Sequence, residues 1–442
     1  MGRSVREEQE REAGSSVNLA APCMHNPGAS NDGTGARKLT SVAGTPSVPR
    51  WSPDGSILRF SVQDSKTKSV SLWEVFANGS HLRPLLPDWS KPPGECCGNW
   101  TPDGKYFIFQ SRHNGVNNVW AIPERGGSFH KTTSQLTLLT SGTMSFASPV
   151  SSKDGKKLFV IGDQSRGELV RYDSKSRQFV PYLSGISAEG VSFSRDGAWV
   201  TYVAYPEGTL WRSKVDGSER LQLCFEPMSA LMPRWSPDGR RIAFVGIAPG
   251  KPWQIYMVSA EGGSPERLTA DERNHSSGSW SPDGNSLTFG DLENDDATAI
   301  LILDLRTRRV STVPGSEGLF TARWSPDGRY LAAKTRDSSK LMAFDFQTGK
   351  WTEWAKIGSA NYVNWSRDGK YLYFDSALGS EPAFYRLRVS DHKLERLVNL
   401  KELGRQASGI LIQWTGLAPD DSLLALRDIG TQEIYALDWE AP

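Results

Sequence analysis

A five-residue phrase, Trp-Ser-Pro-Asp-Gly, stands unaltered at four places in the chain, starting at Trp51, Trp235, Trp280 and Trp324. Near copies start at Trp100, with Thr for Ser, and at Trp365, with Arg for Pro. Looser copies run 151–155 and, from Phe193, 193–197; the last, Leu417-Ala418-Pro419-Asp420, has Asp421 where Gly belongs. The motif aspartates are Asp54, Asp103, Asp154, Asp196, Asp238, Asp283, Asp327, Asp368 and Asp420, at spacings of 49, 51, 42, 42, 45, 44, 41 and 52 residues. A period near 40–50 residues means one supersecondary unit copied along the chain, which buries its apolar face only by stacking on its neighbours.

Each unit has the same content. After Trp235, the residues Arg241-Ile242-Ala243-Phe244-Val245 read as one strand, Gln254-Ile255-Tyr256-Met257-Val258 as a second and Glu266-Arg267-Leu268-Thr269 as a third. The stretch ending in the motif Trp supplies a fourth. Four short antiparallel strands per unit make a blade, so the fold expected is all-β: a β-propeller of about nine four-stranded blades, or eight plus irregular elements, with almost no helix. The 42 Gly and 26 Pro suit a chain with that many tight turns.

The motif has a local purpose. Pro sets the first corner of a turn, Asp accepts hydrogen bonds from nearby backbone N–H groups, and Gly takes the positive φ that closes it. The aromatic residue, Trp51, Trp100, Phe193, Trp235, Trp280, Trp324 or Trp365, is expected to fill the wedge between adjacent blades. The nine aspartates therefore read as turn parts, not as nine active sites.

These repeats resemble the TolB-type, WD-like propellers, and the resemblance covers about residues 33–442. Three longer stretches, 95–100, 167–173 and 430–438, are similar to the sensor-like propellers that follow a winged-helix domain in bacterial regulators of the CadC type. That resemblance implies a sensing or protein-interaction role. The winged helix is not in this sequence, so no DNA-binding residue is carried over. No apolar run approaches the roughly 20 residues of a membrane helix, and the charged stretch from Met1 to Glu12 has no signal-peptide core. The expectation is a cytoplasmic chain as written, or a periplasmic one within a longer anchored regulator.

Residues 1–32 lack periodicity and are expected to be disordered; residues 33–40 match the hairpin and outer strand of a blade and are a candidate to complete the last one. Cys23, Cys96, Cys97 and Cys224 are too few for a disulfide scaffold, and a bridge between adjacent Cys96 and Cys97 is strained, so reduced thiols are expected.

Catalytic signatures are missing. There is no Gly-x-Ser-x-Gly elbow, and the stretch from Gly98 to Lys105 is one residue too long for a phosphate loop. His81, His113 and His130 near Cys96 and Cys97, and the Asn294-Asp295-Asp296 run, are weak metal candidates; no cofactor is expected. Charge is balanced, 51 Lys and Arg against 50 Asp and Glu, and the basic spot Arg306, Arg308 and Arg309 lacks stacking aromatics, so no nucleic-acid partner is expected. The reading is a non-catalytic module, not an enzyme, that presents a face to a protein or peptide, with Trp89, Pro92 and Pro93 as a contact loop. The alternative is a propeller enzyme acting on a polysaccharide or peptide at the central channel. Converging His, Arg and carboxylates there with a bound metal would favour it, and an uncharged, loop-dominated mouth would favour binding.

Overall fold

The computed structural model describes the chain outside residues 1–37, 66, 68, 88, 90–93, 114–115, 125–135, 143, 292–297, 377–380, 406–412 and 441–442. Among the described residues there is no α-helix, only a short 3-10 turn at Leu183–Gly185. The strands form nine antiparallel sheets, eight of four strands and one of three. The sheet of Trp235 shows the plan. Strands Ser229–Trp235, Arg241–Ile247, Gln254–Ser259 and Glu266–Arg267 pair in chain order, joined by tight turns. Its second strand is buried at five consecutive positions, Ile242 to Gly246, because both of its faces are covered.

The chain divides into two compact units, one of residues 165–430 and one of residues up to 164 together with 431–442. The larger unit holds six four-stranded sheets. The first strands of these sheets touch in a closed cycle: Ala188–Phe193, Ser229–Trp235, His275–Trp280, Leu319–Trp324, Asn361–Trp365 and Thr415–Leu417, the last meeting Ala188–Phe193 again. First strands therefore line a bore. The sheet that closes this ring is composite. Thr415–Leu417 and Leu423–Asp428 come from the end of the unit, Gly167–Asp173 and Gln178–Pro181 from its beginning.

The smaller unit holds two four-stranded sheets, led by Thr45–Trp51 and Glu95–Trp100, and one of three strands. In the latter, Lys157–Gln164 lies between Ser145–Ser151 and Thr431–Asp438. Among the described residues, then, eight of the nine sheets have four strands and one has three. Leu423–Asp428 has Gly167–Asp173 and Thr415–Leu417 on its two sides, and the last strand, Thr431–Asp438, stands at the edge of the three-stranded sheet. Of residues 33–40, only 38–40 are described; they are not in a strand, and Leu39 packs against the buried cluster of Val42, Leu58, Phe60, Val62 and Val75.

Most first strands carry a bulge three residues before the motif aromatic, where the backbone turns left-handed: Val48, Cys97, Ser148, Gly190, Met232, Thr321 and Tyr362 have φ of 44–61°. At Cys97 that turn brings the sulfurs of Cys96 and Cys97 together, and the two are bonded, contrary to the expectation of reduced thiols. Cys224 is free and buried, and burial pushes its thiol up to about 11.

Candidate functional site

The motif residues are distributed, one turn to a sheet. In the turn at Ser236, the hydroxyl donates to Asp238 Oδ1 at 2.5 Å and accepts from the Arg241 N–H at 2.9 Å, while Oδ1 also accepts from the Arg240 N–H at 3.1 Å. The same circuit recurs at Asp54, Asp103, Asp154, Asp196, Asp283, Asp327 and Asp368. The donating Ser or Thr hydroxyl holds Asp54, Asp103, Asp154, Asp196, Asp238, Asp283 and Asp327 below the usual carboxylate range. In the ninth copy Asp420 accepts from Ser422 N–H, and Asp421 adopts φ 61° where the motif has Gly.

The motif aromatics reach between sheets. Trp280 Nε1 donates to the carbonyl of Arg234, and Trp365 Nε1 to that of Arg323, each at 3.0 Å and each in the preceding sheet. Trp51, Trp100, Phe193, Trp235 and Trp324 occupy the same register position at the ends of their own first strands. The contact loop is described only in part. Pro92 and Pro93 lie outside the described residues, and Trp89 is half-buried, its ring set edge-on to Phe109 and Trp120. His130, Asp295 and Asp296 also lie outside them, and among the described residues no three His, Cys, Asp or Glu are grouped to hold a metal.

What repeat reading missed is the residue before each motif aromatic. In the larger ring these are Ser192, Arg234, Ser279, Arg323, Asn364 and, in the closing sheet, Gly416. Arg234 and Asn364 belong to sheets three steps apart, on opposite sides of the bore, yet Arg234 Nη2 lies 3.4 Å from Asn364 Oδ1. The bore is therefore narrow at this level. Arg323 enters the same region. Burial pushes it well below the usual guanidinium range, and the positive charge of Arg234 adds to the effect. Burial alone pushes Arg234 down to about 10.

A second group of charges gathers in this ring. The Arg405 and Asp375 side chains, 4% and 0% exposed, pair at 2.8 Å, and Thr415 Oγ1 donates to the other Asp375 oxygen at 2.7 Å. Burial raises Asp375 against the pull of Arg405. Tyr362 is raised by burial and then by the carboxylates of Asp375 and Glu189. Lys334 donates to the Ala360 carbonyl at 2.6 Å, and burial pushes it down to about 8. Of the buried cations described here, Arg405 pairs with Asp375, and Lys334 lies in the opposing fields of Asp375 and Arg323.

A closed ring of antiparallel four-stranded sheets around a polar bore makes the larger unit a β-propeller. The TolB beta propeller domain model matches residues 31–227 and 190–291, together more than half of the chain, and the chain belongs to that family. A curated relative, the uncharacterized peptidase YuxL of Bacillus subtilis (strain 168), is 25% identical over 222 residues, or 48% of this chain and 31% of that protein. The match thus spans under a third of the relative's length. A putative TolB from Agrobacterium tumefaciens is 18% identical at a TM-score of 0.49, over 60% of this chain and 99% of that one. An oligogalacturonate lyase in complex with manganese is 16% identical at a TM-score of 0.35, over 76% and 86%. The peptidase name of the Bacillus subtilis relative corrects the expectation that the chain is not an enzyme: the missing short motifs exclude no activity.

Among the described residues no helix is long and apolar enough to cross a membrane.

Proposed function

We propose that the chain is a recognition module that takes a segment of a protein or peptide partner at the bore of its six-sheet ring. The observation that carries this reading is the charged bore itself. Side chains from opposite sheets meet there, and Arg234 has no carboxylate within salt-bridge distance among the described residues, which leaves it to a guest, although the bore is not the uncharged mouth expected of a binding module. Polar groups converging at the centre of a rigid ring are how such scaffolds bind. The likeness of stretches 95–100, 167–173 and 430–438 to sensor propellers of winged-helix regulators supports a sensing use. Panning a random peptide library on the intact chain and on an Asn364→Trp variant tests it, with far-UV circular dichroism as the folding check. Peptides enriched on the wild type and lost on the variant support the bore. The same set recovered on both would place recognition elsewhere and end this reading.

A second reading, an enzyme working on a polysaccharide or peptide at this bore, is favoured by Lys334. A lysine near 8 with the buried Asp375 in its field is able to exchange a proton near neutral pH. Turnover of such a substrate by pure protein, abolished in Lys334→Met, would support it.

A further inference from the structure

Arg234 differs from the buried arginines Arg405 and Arg59 in what it faces. Arg405 has the Asp375 carboxylate, and Arg59, in the smaller unit, has those of Glu74 and Glu124. Arg234 has neither kind of relief. Its guanidinium makes two long contacts to neutral oxygens, Pro233 O and Asn364 Oδ1, both at 3.4 Å, and among the described residues no carboxylate oxygen lies within 4.0 Å of it. It is nevertheless walled in, partly buried in the bore, and close enough to Arg323 for the two like charges to repel. A guanidinium in such a place costs free energy that a bound anion offsets.

The geometry is that of a fixed receptor. The Arg234 and Arg323 backbones are each held by an indole N–H from the next sheet, and Arg323 Nη1 is tied to the Ala322 carbonyl at 3.0 Å. A guanidinium pre-placed in this way offers the paired N–H groups that the two oxygens of a carboxylate accept. The bore also selects by shape. Side chains from opposite walls come within 3.4 Å at this level, so a small flat two-oxygen group is the guest expected over a bulkier four-oxygen one.

We propose that the bore of the six-sheet ring is a carboxylate-binding site, in which Arg234 and Arg323 grip the two oxygens and Asn364 offers its carboxamide beside them. The inference rests on the bore being the recognition site and adds the chemistry of what enters it: a carboxylate-bearing group, such as an acidic side chain or chain terminus.

The test is titration of the full chain with acetate and with succinate at constant ionic strength, followed by tryptophan fluorescence and thermal shift. Inorganic phosphate and chloride serve as comparison anions. Saturable binding of the carboxylates is expected, with phosphate weaker and chloride without effect. Arg234→Gln and Arg323→Gln should each weaken succinate about ten- to a hundredfold, and Arg234→Lys, which keeps charge but loses the fork, should fall between. If neither carboxylate saturates on the wild type, or if phosphate or chloride does as well, the proposal is overturned, and neither result needs a variant that folds. Unchanged affinity in a folded Arg234→Gln would also overturn it. The outcomes separate from those above: peptides lost on Asn364→Trp with no carboxylate binding would leave the recognition reading standing without this chemistry. Carboxylate binding with the same peptides on both proteins would do the reverse.

Discussion

Within the Ser236 turn, one hydroxyl and one carboxylate satisfy two backbone N–H groups that the tight turn leaves without strand partners. Removing the hydroxyl in Ser236→Ala breaks its bonds to Asp238 and to the Arg241 N–H, at a cost of about 0.5–1.5 kcal/mol. The hydroxyl holds Asp238 below its ordinary value of 3.8, so its effect is full above that value and fades as pH falls through the lower folded one. The gap between variant and wild type in urea melts should therefore be present at pH about 7 and smaller at pH about 2.5. Glycines divide on similar grounds. Gly239 has φ 70° with open space where a Cβ would stand, so Gly239→Ala should cost about 1–2 kcal/mol of backbone strain alone. At Gly98 a Cβ would stand 2.3 Å from the Phe107 ring, so Gly98→Ala should displace that ring and cost about 1–3 kcal/mol. Equilibrium denaturation ranks the two, and a smaller loss at Gly98 would contradict the packing.

At the scale of strands, the sequence reads easily within a sheet and poorly between sheets. Alternation and turn chemistry mark Arg241–Ile247 or Tyr371–Ser376 as strands without ambiguity, because burial on a pleated surface is a local property. Partner choice is not local. Lys157–Gln164 is followed after two residues by Gly167–Asp173, and Leu423–Asp428 after two by Thr431–Asp438, so each pair reads as a hairpin. The structure exchanges the second members. Lys157–Gln164 pairs with Thr431–Asp438, and Leu423–Asp428 with Gly167–Asp173. Both arrangements satisfy the same alternation, so no residue pattern separates them. Hydrogen exchange on a chain ending at Gly430 does. With the exchange, amides in Lys157–Gln164 lose protection while Leu423–Asp428 keeps its own; with simple hairpins, the loss falls on Leu423–Asp428 instead.

Taken over the whole molecule, the charges nearly cancel at +1, so no long-range field draws an anion in, and the cationic bore acts only at short range. This is why composition gave no sign of it. Arg234, Arg323 and Asn364 stand out when the repeats are aligned on the residue before the aromatic, but their meeting depends on closure. A ring of about nine blades would hold them far apart, whereas six sheets bring opposite walls within contact. Lys334 reports on the same enclosure. Its folded value near 8 lies below the ordinary 10.5, so between those two the unfolded chain holds a proton that the folded chain has released, and stability rises with pH. Below pH 8 the ammonium is charged in both states and the cost of burying it is felt in full. Lys334→Met carries no such proton, although it also leaves the Ala360 carbonyl without its donor, a loss independent of pH. The wild type should therefore gain on Lys334→Met by up to about 3 kcal/mol between pH about 8 and about 10.5, measured by denaturant melts of both proteins across that range. A constant difference across it would mean that the lysine titrates as it does in water, and that the ring is more open to solvent than its packing indicates.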